Sequence, residues 1–320
     1  MIDIIIPVYN TPIKDLERCF DSIKKGTYKD YQVRIINDGS KKEIEEFLNE
    51  YCSINKKFSV KHMKNNGVSH ARNVGIDWSI SSYLTFIDSD DTIDKNFLKE
   101  GIKYLEENDL DIISGGYQEI KEDQIIRKRQ NKEKLHIYEK EELKKYLDKV
   151  ISSKLSKDNQ ELEDSPTGRI CPRIYKRSSI GTTRFQENIK ISEDTLFIID
   201  LLRKGGKIGV VPNIWYSYYQ NDYSTVHKEI GQKELNNLLD FFNEINIRME
   251  EEKDVRIKNA YKMRILKTCS DLEKTLLKIN PNIFQKEIIK NSIENIEFDN
   301  YLGINKYIDF YHKYFSKNTR

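Results

Sequence analysis

Over its first 110 residues the chain alternates short β-branched apolar runs with amphipathic segments, and this alternation constrains the fold more than any other feature. Ile2–Val8, Gln32–Asn37, Phe58–His62 and Tyr83–Ile87 read as strands, and the stretches between them repeat apolar residues at helical spacing. Serial βαβ units of this kind build a parallel sheet covered by helices on both faces, which is the α/β class. In the first connection Ile13, Leu16, Phe20 and Ile23 form one apolar stripe, with Thr11 as the expected N-cap and Pro12 at the first helical position. In the second, Ser40 and Glu43 form a capping-box pair ahead of Ile44, Phe47, Leu48 and Tyr51. A third helix is expected from Val68 to about Trp78.

The pattern changes after a further strand at Asp111–Tyr117. From Glu119 to Glu163 the chain is polar, with weak helical periodicity around Leu143–Ile151, and Ser152–Pro166 reads as a loop. Order is expected again at Arg169–Arg177, then in a helix from Thr195 to Lys204 closed by Gly205 and Gly206, then in strands near Lys207–Val211 and Ile214–Tyr219. From Lys233 onward the periodicity is helical, broken by Pro281.

Composition excludes several function classes. The 320 residues suffice for a sizeable core, but no apolar run approaches the ~18 residues of a membrane span. Lys plus Arg number 54 against 52 for Asp plus Glu, so no charge excess favours wrapping nucleic acid. Cys19, Cys52, Cys171 and Cys269 form no close pair, which argues against a zinc site or a disulfide framework and for a reducing cytoplasm. The start MIDIIIPVYN lacks the basic region of a secretion signal and reads as a buried strand.

The residues richest in chemistry follow the fourth strand, where Phe86-Ile87 gives way to Asp88-Ser89-Asp90-Asp91. Ligands of open α/β sheets bind outside the carboxyl ends of strands, so these acids stand at the mouth of a site. Their mutual repulsion is relieved by a hard cation, Mg²⁺ or Mn²⁺, of the kind shared with substrate phosphates. The plainer reading is a turn at Asp88, with Asp91 or Asp94 capping the next helix. The first two strands also end in polar groups, Pro7-Val8-Tyr9-Asn10 and Asn37-Asp38-Gly39-Ser40. Asp38 could accept from a uracil or thymine imide or a ribose hydroxyl, with Tyr9 covering the base; the alternative is an ordinary turn. Asn65–Asn73 is a Gly-containing loop opening a helix, and its Arg72 suits a diphosphate or a neighbouring carboxylate such as Asp38 or Asp88.

The blocks IIIPVYN, INDGS, NNGVSHARNVGI and FIDSDD, in this order and spacing, resemble the family 2 (GT2) glycosyltransferases, which adopt the GT-A fold. The resemblance implies a Rossmann-like, mostly parallel central sheet flanked by helices, with a GT-A domain over 1–225 and a helical C-terminal region over 226–320. It implies that Asp38 contacts the nucleotide base, that Asp88-Ser89-Asp90 is the DxD motif, and that Asp90, with Asp88, holds Mn²⁺ or Mg²⁺ on the donor diphosphate. Pro7, Tyr9, Asn10 and Arg72 complete the donor side. Arg173–Arg177, Arg184-Phe185 and Ser192–Phe197 resemble the second half of the family, which assigns the catalytic base to Asp194 with Glu193 beside it; a plain helix cap is the alternative for this pair.

Two departures qualify the match. Gln220 stands where relatives often have a basic residue, and His227 is either a metal ligand or an ordinary histidine. The QxxRW motif of processive synthases is absent, so one sugar per encounter is expected. The implied activity is inverting transfer from a nucleotide-diphosphate sugar, a UDP-sugar foremost, to a saccharide or lipid-linked saccharide acceptor in polysaccharide or glycoconjugate assembly. A nucleotidyltransferase would more often carry a Gly-rich basic loop after the first strand, and a sugar-nucleotide-binding protein without turnover would not need Asp194. Near the C-terminus Ile304, Tyr307, Ile308, Tyr311, Tyr314 and Phe315 form an apolar stripe beside Lys306, Lys313 and Lys317. Packing on the body, a homodimer contact and peripheral binding at the inner face of a membrane are its three readings.

Overall fold

The computed structural model describes residues 1–131, 134–152, 168–220 and 232–279. The chain divides into two compact units, Met1–Glu229 and Ile230–Arg320.

The first unit is built on one mixed ten-stranded sheet, flanked by helices. Its parallel half comprises β1 (Ile2–Val8), β2 (Tyr31–Asp38), β3 (Phe58–Met63) and β4 (Tyr83–Phe86) in the order β3-β2-β1-β4. They are joined by α1 (Ile13–Lys24), α2 (Lys42–Ile54) and α3 (Val68–Trp78). The near-continuous burial of β1 is what a parallel strand covered on both faces requires. Asp3, fully buried within β1, accepts from Arg34 Nε and from the amides of Ile80 and Ser81, each at 2.9 Å. This carboxylate ties β1 to β2 and to the start of β4. Gly75 of α3 lies against Ile5 and Ile36 so closely that a Cβ there would overlap Ile5.

The remaining elements of this unit are β5 (Thr92–Ile93), α4 (Phe97–Glu107), β6 (Ile112–Lys121), β7 (Gln124–Arg129), β8 (His136–Tyr138), α5 (Lys140–Ser152), β9 (Arg173–Lys176), α6 (Arg177–Ile180), α7 (Glu193–Arg203) and β10 (Ile208–Tyr219). The sheet continues from β4 through β9, β6, β10 and β5, with β7 paired to β6 and β8 to β10. Only β6 and β10 are parallel here; β9 runs antiparallel to both β4 and β6.

Local expectations fail where side chains have other work. Thr11 does not cap α1: Pro12 is the N-cap residue, and the Thr11 hydroxyl shares a 2.6 Å hydrogen bond with Ser89. Ser40 does not form a capping box, because its hydroxyl accepts from the Asn10 amide at 3.0 Å and Lys41 is the N-cap of α2. The polar segment after Glu119, read from sequence only for helical periodicity around Leu143–Ile151, also contains the second strand of the β6–β7 hairpin and β8, and the two strands expected on either side of Pro212 are one strand, β10, with register shifts.

The second unit holds α8 (Gln232–Glu251) and α9 (Val255–Ile279), which pack on one another. The Arg264 guanidinium lies 5.0 Å from the Phe241 ring centre. Among the described residues no helix is long and apolar enough to cross a membrane. His227, Pro281 and the stripe from Ile304 to Phe315 lie outside the described residues.

Candidate functional site

The carboxyl ends of β2, β1 and β4 lie side by side, which brings Asp38, Tyr9-Asn10 and Asp88–Asp91 to one edge of the sheet. Asn10, at φ 54°, accepts from the Lys41 amide at 2.9 Å and so links the ends of β1 and β2. Tyr9 is 56% exposed at this edge and Pro7 is half-buried. Asp38 is buried, and its two oxygens accept from the amides of Asn66 and Gly67 at 2.8 Å each. It therefore holds the loop that opens α3. Gly67, the N-cap, has φ 93°, a conformation that favours glycine.

The four residues after Ile87 have separate environments. Asp91 is fully buried, accepting from Tyr216 Oη at 2.7 Å and the Tyr219 amide at 2.8 Å. Burial first, then the charges of Asp88 and Asp90, push its pKa well above the carboxylate range. It is a structural acid, neither a cap nor an exposed ligand. Asp94 does not cap α4 either: Asn96 is the N-cap residue, and the Asp94 carboxylate accepts from its amide at 2.8 Å, ahead of the helix. Asp88 and Asp90 are half-buried, and Ser89 is buried against Thr11. Arg18 donates to the Asp90 carbonyl at 2.5 Å, pairs with Asp15 at 2.7 Å and lies 3.8 Å from the Tyr219 ring centre, so the turn is braced from behind.

Arg72 connects this turn to a distant part of the chain. Its Nη2 donates to Asp88 Oδ1 at 3.1 Å and its Nη1 to Glu193 Oε1 at 2.9 Å, with only 7% of the side chain exposed. Of the partners considered for Arg72 from sequence, Asp88 is the one it takes; Glu193 is 121 residues away and had no local signal. Burial pulls the Arg72 pKa down, but Asp88, Glu193 and Asp194 outweigh it and leave it raised. Burial and then the adjacent Asp194 raise Glu193, and burial raises Asp194 against the opposing charges of Arg72 and Arg169.

Glu193 and Asp194 open α7, after Ser192 at φ 58°. The left-handed turn at a non-glycine residue re-aims the chain just before the acid pair. Glu193 faces Arg72, whereas Asp194 Oδ1 accepts from the Thr195 amide at 2.7 Å. Asp194 Oδ2 has no hydrogen-bond partner among the described residues. A second anchor comes from α3: Asn73 donates to the Phe185 carbonyl at 2.9 Å and accepts from its amide at 2.8 Å, fixing the segment that leads into α7.

Among the described residues no group of three or more His, Cys, Asp and Glu side chains could hold a metal by itself. The half-buried pair Asp88 and Asp90 offers oxygen donors alone, which suits a hard divalent ion completed by water and ligand phosphate oxygens.

Residues 3–179 match the family described as glycosyl transferase family 2. The protein EpsJ of Bacillus subtilis, described as an uncharacterized glycosyltransferase, is 22% identical over 93% of this chain and 87% of its own length. Several other relatives are far longer, and the chain spans about a quarter or less of their length. Among solved structures, TarS 1-349 of S. aureus in complex with UDP-GlcNAc superposes with a TM-score of 0.66 at 18% identity, covering 91% of this chain and 79% of that one. The mannosyltransferase PcManGT of Pyrobaculum calidifontis, in complex with GDP-Man and Mn²⁺, superposes with a TM-score of 0.56 at 11% identity, covering 92% and 79%. These likenesses confirm the GT-A-like architecture, a mixed sheet flanked by helices with a helical C-terminal region. With a family match covering more than half of its length, the chain belongs to glycosyl transferase family 2.

Proposed function

We propose that the protein transfers a single sugar, with inversion, from a nucleotide-diphosphate sugar to an acceptor hydroxyl, with Asp194 as the general base. The observation that carries this reading is the Arg72 bridge, which joins the acids at the end of β4 to the acid pair that opens α7. A donor-side turn and a carboxylate with an uncommitted oxygen thereby stand on either side of one guanidinium.

The roles follow from the surroundings. Tyr9 covers the nucleotide base, Asp38 accepts from base or ribose while holding its loop, and Pro7, Asn10 and Ser89 shape the floor of the donor site. Asp90 and Asp88 would hold Mn²⁺ or Mg²⁺, which supplies neutralisation of the charge that builds on the leaving diphosphate. Asp194 Oδ2 takes the acceptor proton as the hydroxyl attacks the anomeric carbon. Glu193 holds Arg72 in place, so it is a positioning residue; the base is its neighbour. A base on one face and a leaving group on the other give one displacement, which turns an α-linked donor into a β-linkage. UDP-sugars are the first donors to test, and a saccharide or lipid-linked saccharide is the acceptor class.

A panel of UDP-, dTDP- and GDP-sugars, scored for nucleotide release with and without Mn²⁺, tests the reading. Metal-dependent release from one donor supports it; no release and no binding from any donor contradicts it.

A further inference from the structure

Beyond Asp194, on the side away from β1 and β2, two half-exposed arginines converge on one buried acid. The register sets Arg127 of β7, Glu119 of β6 and Tyr218 of β10 side by side. Arg127 Nη1 lies 3.9 Å and Arg169 Nη2 4.0 Å from the same oxygen, Glu119 Oε1, while Oε2 accepts from Gln220 at 3.1 Å. Those separations are too long for hydrogen bonds. Each arginine side chain is 43% exposed, and neither donates a hydrogen bond to any described residue. The shared carboxylate therefore leaves the hydrogen-bond donors of both guanidinium groups unused.

Arg169 is also held in position. Its guanidinium lies 4.9 Å from the Tyr117 ring centre and 5.1 Å from that of Tyr218. Gly168, the residue before it, abuts Thr195, the residue after Asp194, so closely that a Cβ there would collide with the threonine side chain. Contact between those two neighbours sets Arg169 beside Asp194, and each of the two charges shifts the proton affinity of the other.

We propose that Arg127 and Arg169 form an anion subsite for the acceptor, and that the acceptor carries a phosphate ester or phosphodiester near the hydroxyl that is glycosylated. The inference rests on the reading of Asp194 as base, since the acceptor hydroxyl must lie at that carboxylate. The side of the sheet assigns the subsite to the acceptor: the donor groups stand on β1, β2 and β4, whereas these arginines stand on β7 and just ahead of β9, over β6 and β10. A planar guanidinium donates through two parallel N–H groups, which matches phosphate oxygens, and its stacking on tyrosine rings limits the freedom lost on binding. Glu119 keeps the pair together without satisfying it.

The test uses the full chain, saturated with Mg²⁺ and whichever of UDP, dTDP and GDP it binds, titrated with glycerol 3-phosphate, with glycerol and with lactate. Wild type is expected to bind glycerol 3-phosphate and neither of the other two. Arg127→Gln/Arg169→Gln is expected to weaken that binding at least tenfold while nucleotide affinity stays within twofold, and Arg169→Lys to fall between. The two single Gln variants, each measured for melting temperature, guard against a folding defect. Unchanged phosphate binding in the double variant, equal binding of lactate, or a parallel loss of nucleotide affinity overturns the inference while leaving the donor reading intact. Failure of wild type to bind any of the three nucleotides brings down both.

Discussion

Arg72 donates to Glu193 at 2.9 Å across 121 residues of sequence, and the same guanidinium reaches Asp88 at 3.1 Å. One buried cation thus holds together two clusters of acid that would otherwise repel one another. Neither cluster could be as densely negative without it.

Arg72→Ala is expected to destabilise the first unit by about 3–5 kcal/mol, because it leaves Glu193 buried without its partner. Arg72→Lys should also lose stability, since an ammonium cannot span both carboxylates. Adding Glu193→Gln to Arg72→Ala should restore part of the loss. Urea unfolding of wild type, Arg72→Ala, Glu193→Gln and the double variant closes the double-mutant cycle; additive effects would show that the bridge contributes nothing.

Asp38→Asn should cost about 1–3 kcal/mol, because an amide group replaces one of the two oxygens that accept from Asn66 and Gly67 and presents N–H to N–H. Since that loop opens the helix bearing Arg72, nucleotide binding should weaken as well. Thermal melts and titration with a nucleoside diphosphate read the two effects separately.

The pH dependence has a definite sign. Burial raises the pKa of Asp194, and a base must be deprotonated to work, so kcat/KM should rise with pH along a limb displaced upward from the ordinary carboxylate range. Removing the opposing charge with Arg169→Gln should move that limb further up. The stability contribution runs the other way: Glu193 and Asp194 bind protons more tightly when folded, so their contribution is full below the unfolded pKa and is lost as pH rises through the folded values. A pH–rate profile with its limb at or below the free carboxylate value would contradict the assignment.

Gly75→Ala is expected to destabilise by about 1–3 kcal/mol, since its methyl group would overlap Ile5 where α3 meets β1. A variant as stable as wild type would show that the helix can shift at no cost.

The parallel half of the sheet was legible because strands buried on both faces leave near-continuous apolar runs, and Ile2–Val8 and Val68–Trp78 occur with the boundaries read from sequence. Caps were less legible. Ser40 and Glu43 carry the right letters, yet the Ser40 hydroxyl is taken by Asn10, a partner 30 residues away. β7 left no strand signal because its residues Gln124 to Lys128 are all exposed, so Ile125 and Ile126 do not alternate with polar neighbours. In the site, the Asp88–Asp91 turn stood out as four consecutive polar residues after an apolar strand, but the inward turn of Asp91 is decided by Tyr216 and Tyr219, which no local pattern connects to it. Arg169 had no signal at all: it is a single arginine, and its importance comes from Tyr117, Tyr218 and Glu119 meeting it in space.

The most direct test of the central claim is to compare donor binding and transfer for wild type, Asp90→Ala and Asp194→Asn with the donor that the panel identifies. The account predicts that Asp90→Ala loses metal-dependent donor binding. It predicts that Asp194→Asn binds donor within twofold of wild type while transfer falls by about 10²–10⁴-fold, the range of a general base. Transfer that persists at the wild-type rate in Asp194→Asn would contradict it.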